Sequence, residues 1–424
     1  MSTAELPRRA ARNPSCCSME RRWMPVSIYR RMGLRPIINA AGTQTRLGGT
    51  LMLPEAREAV REAALELVPV EELQAAAGEV ISRMCGSEAG YVVSGASAGL
   101  TMAACACMAG MDLKRMDALP GSPGERKPEI IIPRSHRNSY DHAFRLAGAE
   151  LVEVGFDDLA VGCGVRAVET AEIEEAISPE TVAVAFVAGK DRQPPLAEVT
   201  RMAKERGVPV IVDAAGQLPP PSNLRRFVAE GADLVAFSGG KALRGPQGTG
   251  FLVGRQDLIS SVALQHLDMD VNFDLWSPPE SLIPLSGLPR APRHGMGRGF
   301  KVSGEEIVGL MVALEHFTEE RWQADSRIWL DLLSLVDRHL AGIPGVKTTI
   351  TGGGDEGYPQ LEMRLDPDTC GLSARQVARQ LGQGSPRIFL GERHLSRDIL
   401  LVSPLNLEEK SAGLVGSRLA EILG

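Results

Sequence analysis

Lys241 is the residue of this 424-residue chain whose setting best suits covalent chemistry. The apolar run Leu234–Phe237 is followed by Ser-Gly-Gly, the lysine itself and then a loop that contains Gly-Pro-Gln. An amine on a tight turn at a strand end can be held partly away from water, which lowers its pKa and lets it form a Schiff base with an aldehyde. The sequence therefore offers Lys241 as a nucleophilic lysine.

A carboxylate precedes this lysine in a comparable position. Asp213 ends the apolar run Pro209–Val212, and a cofactor with a protonated pyridine nitrogen needs such a partner. A helix cap or an ion-pair partner is the simpler interpretation of Asp213 taken alone. Together with Lys241, it indicates pyridoxal phosphate.

The segment Ser94–Gly99, called the anion cup below, could hold a phosphate. It follows an apolar run and opens a helical pattern, and its small residues let backbone amides approach an anion at a helix N-terminus. A capped helix start is the alternative for this motif in isolation, because it matches neither GxGxxG nor the nucleotide P-loop. Ser238, three residues before Lys241, could add a phosphate contact.

Short apolar runs alternate with helical patterns through the first 250 residues, which is typical of strands buried between helices in a mostly parallel sheet. The last two runs are separated only by the loop with Lys241, too short for a helical crossover, so the final strand should be antiparallel to its predecessor. The class is therefore α/β, with seven predicted strands: Gly90–Val93, Glu129–Ile132, Glu150–Val154, Val182–Val187, Val208–Val212, Leu234–Phe237 and Thr249–Val253.

The remaining patterns predict four regions. Residues 1–34 are Arg-rich without apolar periodicity and are expected to be disordered or extended. Residues 35–300 form a large domain, residues 301–345 are connecting helices, and residues 346–424 form a small domain. Predicted within these regions are helices over Pro54–Leu67, Val70–Cys85 and 304–340 with a break, an irregular segment over Ser260–Phe300, and, after Val346, strands Gln360–Leu365 and Ile399–Val402 with helices Ser373–Leu381 and Glu408–Leu423.

Composition narrows the class of protein. A net charge of -7 argues against nucleic-acid binding, which is driven by clustered Lys and Arg. Seven cysteines without a CxxC pair indicate neither a disulfide framework nor a zinc site, so we expect no metal and a reducing, cytoplasmic setting. The longest apolar stretch, about residues 100–111, falls short of the ~18 residues of a membrane span.

Several motifs resemble one known family. Their order is similar to that of the fold-type I pyridoxal-phosphate enzymes, and within them to the group of selenocysteine synthase (seryl-tRNA selenium transferase) and D-glucosaminate-6-phosphate ammonia-lyase. The element Ser-Gly-Gly-Lys-x-Leu-x-Gly-Pro-Gln is the most specific, and coverage runs from about residue 35 to residue 424. The motifs are Pro36–Thr43, Glu72–Gln74, Ser94–Gly99, Val212–Pro219, Ser238–Gln247 and Glu305–Leu310.

The resemblance implies a role for each candidate. Lys241 would be the Schiff-base lysine and Asp213 the pyridinium partner. His136, just after a predicted strand, could stack on the cofactor or transfer a proton, and a solvent-facing loop histidine is the alternative. The cofactor-binding set would be Ser94, Gly95, Ala96, Ser97, Asp213, Ala215, Ser238 and Lys241, and the substrate-binding candidates would be Arg298, Arg46 and Gln217. A surface ion pair is the alternative for Arg298.

The same resemblance implies a reaction class. Only some 35 residues precede the shared core, too few for the tRNA-gripping domain of selenocysteine synthase, and Val212–Pro220 with Pro133–Asp141 looks more like the ammonia-lyase branch. We therefore expect α,β-elimination of a hydroxy-amino acid, such as an amino-sugar acid or its phosphate, to a 2-keto acid and ammonia. Selenocysteine-synthase-like β-replacement, racemisation, aldol cleavage, transamination and a non-catalytic cofactor-binding regulator are the alternatives. A homo-oligomer is also implied, with Ser260–Phe300 as a contact segment.

Overall fold

The computed structural model describes residues 27–121, 127–155, 168–190, 192–354 and 357–424. By the density of its internal contacts the chain divides into two compact units, residues 1–37 and residues 38–424. In the first unit the described residues include a short helix, Ile28–Arg31. The prediction for residues 1–34 falls mostly on residues 1–26, which lie outside the described residues.

Twelve strands are formed by the described residues, and seven of them make one sheet in the order β2-β8-β7-β6-β5-β3-β4. The strands are β1 Ile37–Ala40, β2 Ala89–Val93, β3 Glu129–Pro133, β4 Glu150–Val154, β5 Thr181–Val187, β6 Val210–Asp213, β7 Leu234–Ser238, β8 Gly250–Gly254, β9 Val346–Thr351, β10 Gln360–Leu365, β11 Arg387–Leu390 and β12 Ile399–Val402. All seven predicted runs are strands of this sheet, which confirms the α/β class.

The direction of the strands decides where their loops meet. Neighbours among β7, β6, β5, β3 and β4 are parallel, whereas β8 is antiparallel to both β7 and β2. The predicted antiparallel pair around Lys241 is therefore confirmed. Since β2 is reversed twice relative to β7, the two run parallel, and the carboxyl ends of β2, β7, β6, β5 and β3 lie at one edge of the sheet.

The sheet is buried on both faces except at its edge strand β4, where Glu150 and Glu153 are exposed, and this burial explains the apolar runs of the other strands. In β3, Ile130 and Ile132 belong to one hydrophobic cluster, and Ile131 belongs to the cluster on the opposite face. Alternate strand residues point to opposite faces, so both faces must be covered by helices. On the first face lies the helix Ala96–Ala109, whose small residues are buried around nearly its whole circumference.

Fifteen helices are formed by the described residues. They are α1 Ile28–Arg31, α2 Pro54–Ala63, α3 Val70–Cys85, α4 Ala96–Ala109, α5 Leu113–Ala118, α6 His142–Leu146, α7 Thr170–Glu175, α8 Leu196–Glu205, α9 Asn223–Ala229, α10 Gln256–His266, α11 Gly304–Glu315, α12 Glu319–Leu340, α13 Pro367–Cys370, α14 Ala374–Gln383 and α15 Glu409–Leu423. The break expected within residues 304–340 lies between α11 and α12. No helix among the described residues combines the length and the apolar character needed to cross a membrane.

Two element predictions are wrong. The helix expected over Pro54–Leu67 ends at Ala63, and Leu67 is fully exposed beyond it. The segment Ser260–Phe300 is not irregular throughout, because residues 260–266 belong to α10. Residues 258–266 of α10 are all buried, so the helix has no polar face and its sequence lacks an amphipathic period.

Strands β9, β10 and β12 form a separate three-stranded antiparallel sheet in the order β12-β10-β9, whereas β11 pairs with β1. Helices α12, α14 and α15 supply residues to the same hydrophobic cluster as this sheet. Residues 38–424 nevertheless form one compact unit, so the division into residues 35–300, 301–345 and 346–424 stays a prediction.

Candidate active site

The register of the sheet places the predicted site residues side by side. Gly250 of β8 is paired with Val93 on one side and with Ser238 on the other, while Asp213 of β6 is paired with Ala236 and with Val187. Neighbouring strands are ~4.8 Å apart. The anion cup after Val93, the segment after Ser238 and Asp213 therefore open at one edge of the sheet within a few strand spacings.

The lysine turn, residues 239–245, is a closed hairpin connection. Gly239 N–H donates to Thr249 O (2.9 Å), Arg244 N–H to Lys241 O (3.0 Å) and Gly245 N–H to Gly239 O (3.0 Å). Arg244 adopts φ +56°, a left-handed conformation that is uncommon outside glycine. These backbone bonds fix the direction in which the side chain of Lys241 leaves the turn.

A second segment of the chain fastens the lysine turn from outside. The buried hydroxyl of Thr50 donates to the carbonyl oxygens of Gly240 and Lys241, both at 2.9 Å. Asn406, from the C-terminal part, accepts from Leu51 N–H (2.7 Å) and donates to Gly49 O (3.1 Å). Sequence reasoning missed both residues, because their roles depend on contacts across about 190 and 355 residues of chain, which no local pattern encodes.

Lys241 and Asp213 influence each other electrostatically. Burial lowers the pKa of Lys241, and the negative charge of Asp213 opposes that shift. Burial raises the pKa of Asp213, while the Ala215 N–H bond (3.0 Å) and the charge of Lys241 act the other way. Both shifts bring the neutral form of each side chain closer to neutral pH, and perturbed pairs of this kind are typical of functional sites.

The anion cup presents unpaired backbone donors. Helix α4 begins at Ala96 after Gly95, which has φ +95°, and no side chain caps this helix end. A bound phosphate suits such amides. Gly250 of β8 packs directly against the anion cup, and no side chain fits there, because a Cβ would lie 2.7 Å from Ala96 N and 2.6 Å from Phe237 O. Ser94 and Ser238 are half-buried beside it, and Ser97 is exposed.

His136 is a buried residue rather than a solvent-facing loop histidine. It ends a 3-10 turn after β3, packs edge-to-face on Phe186 (4.7 Å between ring centroids) and accepts a long hydrogen bond from Val187 N–H at Nδ1 (3.4 Å). Its Nε2 is buried and makes no hydrogen bond of normal geometry with the described residues, although the backbone of Gln193 is near enough to oppose the lowering of its pKa. Burial, aided by the charge of Arg192, lowers the pKa of His136 to about 4, so the ring is neutral at neutral pH.

Two substrate-binding candidates are engaged elsewhere in this chain. Arg298 donates to Asp268 at 2.7 Å in a half-exposed ion pair, the alternative considered for it. Arg46 is exposed, lies 3.8 Å from Glu392 and stands over the ring of Phe389. The structure does not bring either guanidinium to Lys241, and their roles in substrate binding stay predictions.

Gln217 and Ala215 lie close to Asp213. Ala215 supplies the N–H bond to the Asp213 carboxylate, and Gln217 Nε2 donates to Ala188 O (2.9 Å) on the neighbouring strand end. Ala188 N–H in turn donates to Asp213 O (2.9 Å). Both predicted residues therefore line the same edge as the carboxylate.

This arrangement fits pyridoxal 5'-phosphate. Three features suit a bound polar group: the buried Nε2 of His136 without a hydrogen-bond partner among the described residues, the uncapped amides of the anion cup, and the position beside Ala96 N that a Cβ on residue 250 would fill. Asp213 and Lys241 attract each other electrostatically without forming an ion pair, so each would be available to the cofactor, the carboxylate to its ring nitrogen and the amine to its aldehyde.

Comparison with known proteins supports the same interpretation. Residues 141–269, which include Asp213 and Lys241, match the family model "Aminotransferase class-V". The chain is 31% identical over 407 residues to a 5'-C-glycyluridine monooxygenase-decarboxylase of a Streptomyces species, covering 93% of this chain and 92% of that protein. It is 29% identical to the D-glucosaminate-6-phosphate ammonia lyase of Salmonella typhimurium, covering 94% of this chain and 98% of that protein. A solved structure of D-glucosaminate-6-phosphate ammonia-lyase matches with a TM-score of 0.74 and 28% identity, covering 94% of this chain and 99% of that one.

Fold and similarity together define the class, a fold-type I pyridoxal-phosphate-dependent enzyme. Its cofactor is pyridoxal 5'-phosphate. Within that class the chain belongs to the family that includes D-glucosaminate-6-phosphate ammonia-lyase and seryl-tRNA selenium transferase, as its sequence resemblance implied.

Proposed function

We propose that this chain is a lyase that removes ammonia from a hydroxy-amino acid, an amino-sugar acid or its phosphate, by α,β-elimination. The observation that supports it most is the half-buried amine of Lys241, whose pKa is lowered by burial, beside the carboxylate of Asp213. Similarity to an ammonia lyase along nearly the whole chain favours this reaction among those the fold supports.

Each residue has a distinct task in this proposal. The cofactor, when bound, supplies an electron-withdrawing pyridinium ring. Lys241 would hold it through a bond from Nζ to its aldehyde carbon, the anion cup and Ser238 would hold its phosphate, and Asp213 would keep the ring nitrogen protonated. Released by the entering substrate amine, Lys241 Nζ would take the proton from the substrate Cα.

The proton for the departing hydroxyl comes from the same amine. His136, with a pKa of about 4, lacks a second ring proton at neutral pH and suits packing against the ring. Lys241, protonated by its first step, can donate to the hydroxyl as it leaves as water. One water is lost and one is regained on hydrolysis, so the products are a 2-keto acid and ammonia.

The test is product formation from a set of hydroxy-amino acids, including D-glucosaminate with and without a 6-phosphate. We expect 2-keto acid and ammonia in equal amounts, with no oxygen required, and no product from Lys241→Ala. Borohydride reduction of the holoprotein should label the peptide that contains Lys241. A label on another peptide, or none, would refute the role of this lysine.

Oxidative decarboxylation is the second candidate, because the relative that is 31% identical is a monooxygenase-decarboxylase. The two reactions differ in measurable stoichiometry. Elimination proceeds without oxygen and retains every carbon, whereas oxidative decarboxylation consumes dioxygen and releases carbon dioxide. Oxygen-dependent release of carbon dioxide without keto acid would replace the lyase proposal by this one.

The homo-oligomer implied by the family resemblance remains part of the proposal. Light scattering during size-exclusion chromatography measures it directly, and a monomer at working enzyme concentrations would contradict it.

A further inference from the structure

Gln74 is fully buried in α3, and its side-chain amide is bonded to the backbone of β2. Its Nε2 donates to Val92 O and its Oε1 accepts from Val92 N–H, both at 3.0 Å. Glutamine is mostly an exposed residue type, and a side-chain amide costs free energy to bury unless its donor and acceptor are used. Both polar atoms of Gln74 are used, and both bind the same residue of one strand.

Val92 lies on an edge of the large sheet. Strand β2 is the first in the sheet order, so only β8 pairs with it among the described strands. In an antiparallel pair, alternate residues direct their N–H and C=O toward the neighbouring strand and away from it. The N–H and C=O of Val92 are bonded to Gln74. The amide of one side chain therefore takes the place that the backbone of a further strand would have.

Two glycines bring α3 against β2 next to this contact. A Cβ on Gly78, one turn after Gln74, would lie 2.6 Å from Gly90 O, and a Cβ on Gly90 would lie 2.4 Å from Ile81 Cγ2. The helix and the strand are thus too close for a side chain at either glycine. Helix α3 is therefore a fixed support from which Gln74 reaches Val92.

The bonded residue lies two positions before the anion cup. Val93 follows Val92 and is paired with Gly250 of β8, and Gly95 N–H donates to Val93 O at 2.8 Å. The cup thus follows a strand end that β8 fixes from one edge and Gln74 from the other. Because this strand end sets where the first turn of α4 begins, the direction of its uncapped amides depends on both contacts.

We propose that Gln74 is a positioning residue for the cofactor phosphate, since it holds Val92 where the backbone amides of the anion cup can meet the phosphate oxygens. This inference rests on the place given to the phosphate in the proposed function, and not on the reaction. A side chain bonded elsewhere can change the affinity for an anion, because hydrogen bonds depend on the distance and angle of their donors. The motif Glu72–Gln74 thereby acquires a role for its buried polar residue.

The experiment compares pyridoxal 5'-phosphate with pyridoxal, which lacks the phosphate. Each is titrated into the apoprotein and followed by absorbance, and the ratio of the two dissociation constants reports the contribution of the phosphate. We expect the original protein to bind the phosphorylated form at least ~100-fold more tightly, which corresponds to ~2.8 kcal/mol. Gln74→Met removes both bonds with little change in side-chain volume and should lower that ratio by ~10-fold, or ~1.4 kcal/mol.

Two further variants separate positioning from stability alone. Gln74→Glu can still accept from Val92 N–H, so it should keep a larger ratio than Gln74→Met. Gln265→Met is the matched control, because Gln265 is another fully buried glutamine, on α10, and its Nε2 donates to Ser261 Oγ of the same helix at 3.1 Å. Its replacement should lower the unfolding temperature and leave the ratio at the original value.

Hydrogen exchange of the original protein gives a measurement that requires no variant. Pyridoxal 5'-phosphate should slow the exchange of backbone amides in residues 92–97 more than pyridoxal does, and through Gln74 it should also slow that of residues 74–78 in α3. Additional protection confined to residues 92–97 would overturn the positioning role. A ratio in Gln74→Met equal to that in Gln265→Met would overturn it as well.

These readouts are independent of the reaction. A ratio that depends on Gln74, in a protein that forms no keto acid, would support the positioning role and reject the lyase. Keto acid formation with an unchanged ratio in Gln74→Met would do the reverse. Equal binding of the two cofactor forms by the original protein would refute both this inference and the place given to the phosphate.

Discussion

Asp213 and Lys241 have different roles in the candidate site, since the carboxylate is a fixed charge and the amine lies at the end of a flexible side chain. The carboxylate is held by Ala215 N–H at the end of β6, while the amine extends from a turn that other segments hold in place. Each has its pKa displaced mainly by burial and is restrained by the charge of the other. At the residue scale, the proposed chemistry depends on the carboxylate of Asp213 and the amine of Lys241 staying near each other without forming an ion pair.

Replacement of Asp213 by asparagine tests the charge alone. The amide oxygen can still accept from Ala215 N–H, but it cannot keep a pyridine nitrogen protonated. We expect kcat to fall by ~100-fold or more, about 2.7 kcal/mol of barrier, with cofactor still bound. Steady-state kinetics on the reconstituted variant measures it.

Asp233→Asn is the control for that substitution. Asp233 accepts from Val210 N–H at 2.8 Å at the opposite end of β6 and lies 3.2 Å from Arg255. Its loss should lower stability and leave kcat near the original value. Turnover in Asp213→Asn equal to that of this control would remove Asp213 from its role.

His136 predicts a dependence of stability on acid. Its pKa is about 4 when folded and 6.5 ordinarily, so between those values the unfolded chain binds a proton that the folded chain refuses. The free energy of unfolding should therefore fall as pH falls from about 6.5 toward 4. By linkage, the neutral His136 lowers the free energy of unfolding of the apoprotein by roughly 2 kcal/mol between pH 7 and pH 5.

His136→Phe should remove that contribution. Denaturant unfolding of the apoprotein at pH 7 and pH 5 gives the difference, since other acid-sensitive groups cancel between the original protein and the variant. The same replacement at the exposed His142 is the control for exchanging a histidine for phenylalanine elsewhere in the chain. An equal acid loss in the original protein and in His136→Phe would show that the histidine is not held neutral.

At the scale of elements, β8 supports the start of α4. Gly250 passes beneath the anion cup, where a Cβ would lie 2.7 Å from Ala96 N, closer than real Cβ contacts allow. Gly250→Ala must displace the first turn of α4 or the end of β7. We expect a stability loss of ~1–3 kcal/mol, as in other overpacked sites, and weaker cofactor binding, measured by absorbance titration.

Gly413→Ala is the comparison for this glycine. Gly413 lies in the interior of α15, and the nearest atom to an added Cβ there is Leu335 Cδ2 at 4.0 Å. Alanine in a helix should stabilise by up to ~1 kcal/mol and leave cofactor affinity unchanged. Cofactor affinity of Gly250→Ala equal to that of Gly413→Ala would separate β8 from the cup.

Elements buried on both faces were predicted best from the sequence. The strands of the large sheet other than the edge strand β4 are mainly apolar runs, and α3 has the ends that the sequence predicts, stopping where Gly86 takes φ +68°. Strand β9 was missed because Val346, Thr348 and Ile350 alternate with polar residues and threonine counts as polar in an apolar pattern. Helix α10 was missed for the opposite reason, since it has no exposed face to mark its period.

The site was predictable only where a local motif carries it. Lys241, Asp213 and the anion cup stand at strand ends that the sequence marks. Thr50 and Asn406 act through contacts with distant segments, so no local pattern in the sequence reveals their roles. The pairing of Arg298 with Asp268 is likewise a tertiary contact that the glycine-rich segment around it did not reveal.

On the scale of the whole molecule, hydrogen bonds link the lysine turn to one segment near residue 50 and, through that segment, to another near residue 406. Thr50 belongs to the segment before α2, Lys241 to the centre, and Asn406 to the segment before α15. Asn406 binds Leu51 N–H and Gly49 O, and Thr50 between them binds the carbonyls of Gly240 and Lys241. A displacement of Asn406 should therefore shift Thr50 and, through it, the backbone of Lys241.

Asn406→Ala tests this connection without touching the lysine. It removes the partner of Leu51 N–H and one of the two donors to Gly49 O, which keeps its bond from Asn39 Nδ2 (2.9 Å), and it should loosen the turn. In the original protein, cofactor at 100 times its Kd should raise the free energy of unfolding by ~2.7 kcal/mol. We expect Asn406→Ala to show a smaller gain at the same cofactor concentration, measured by denaturant unfolding of apo and reconstituted protein. Asn272→Ala removes a comparable side-chain bond, to Asp274 N–H in an exposed turn, and should keep the full gain. If both variants gain as much as the original protein, the C-terminal segment does not support the cofactor site.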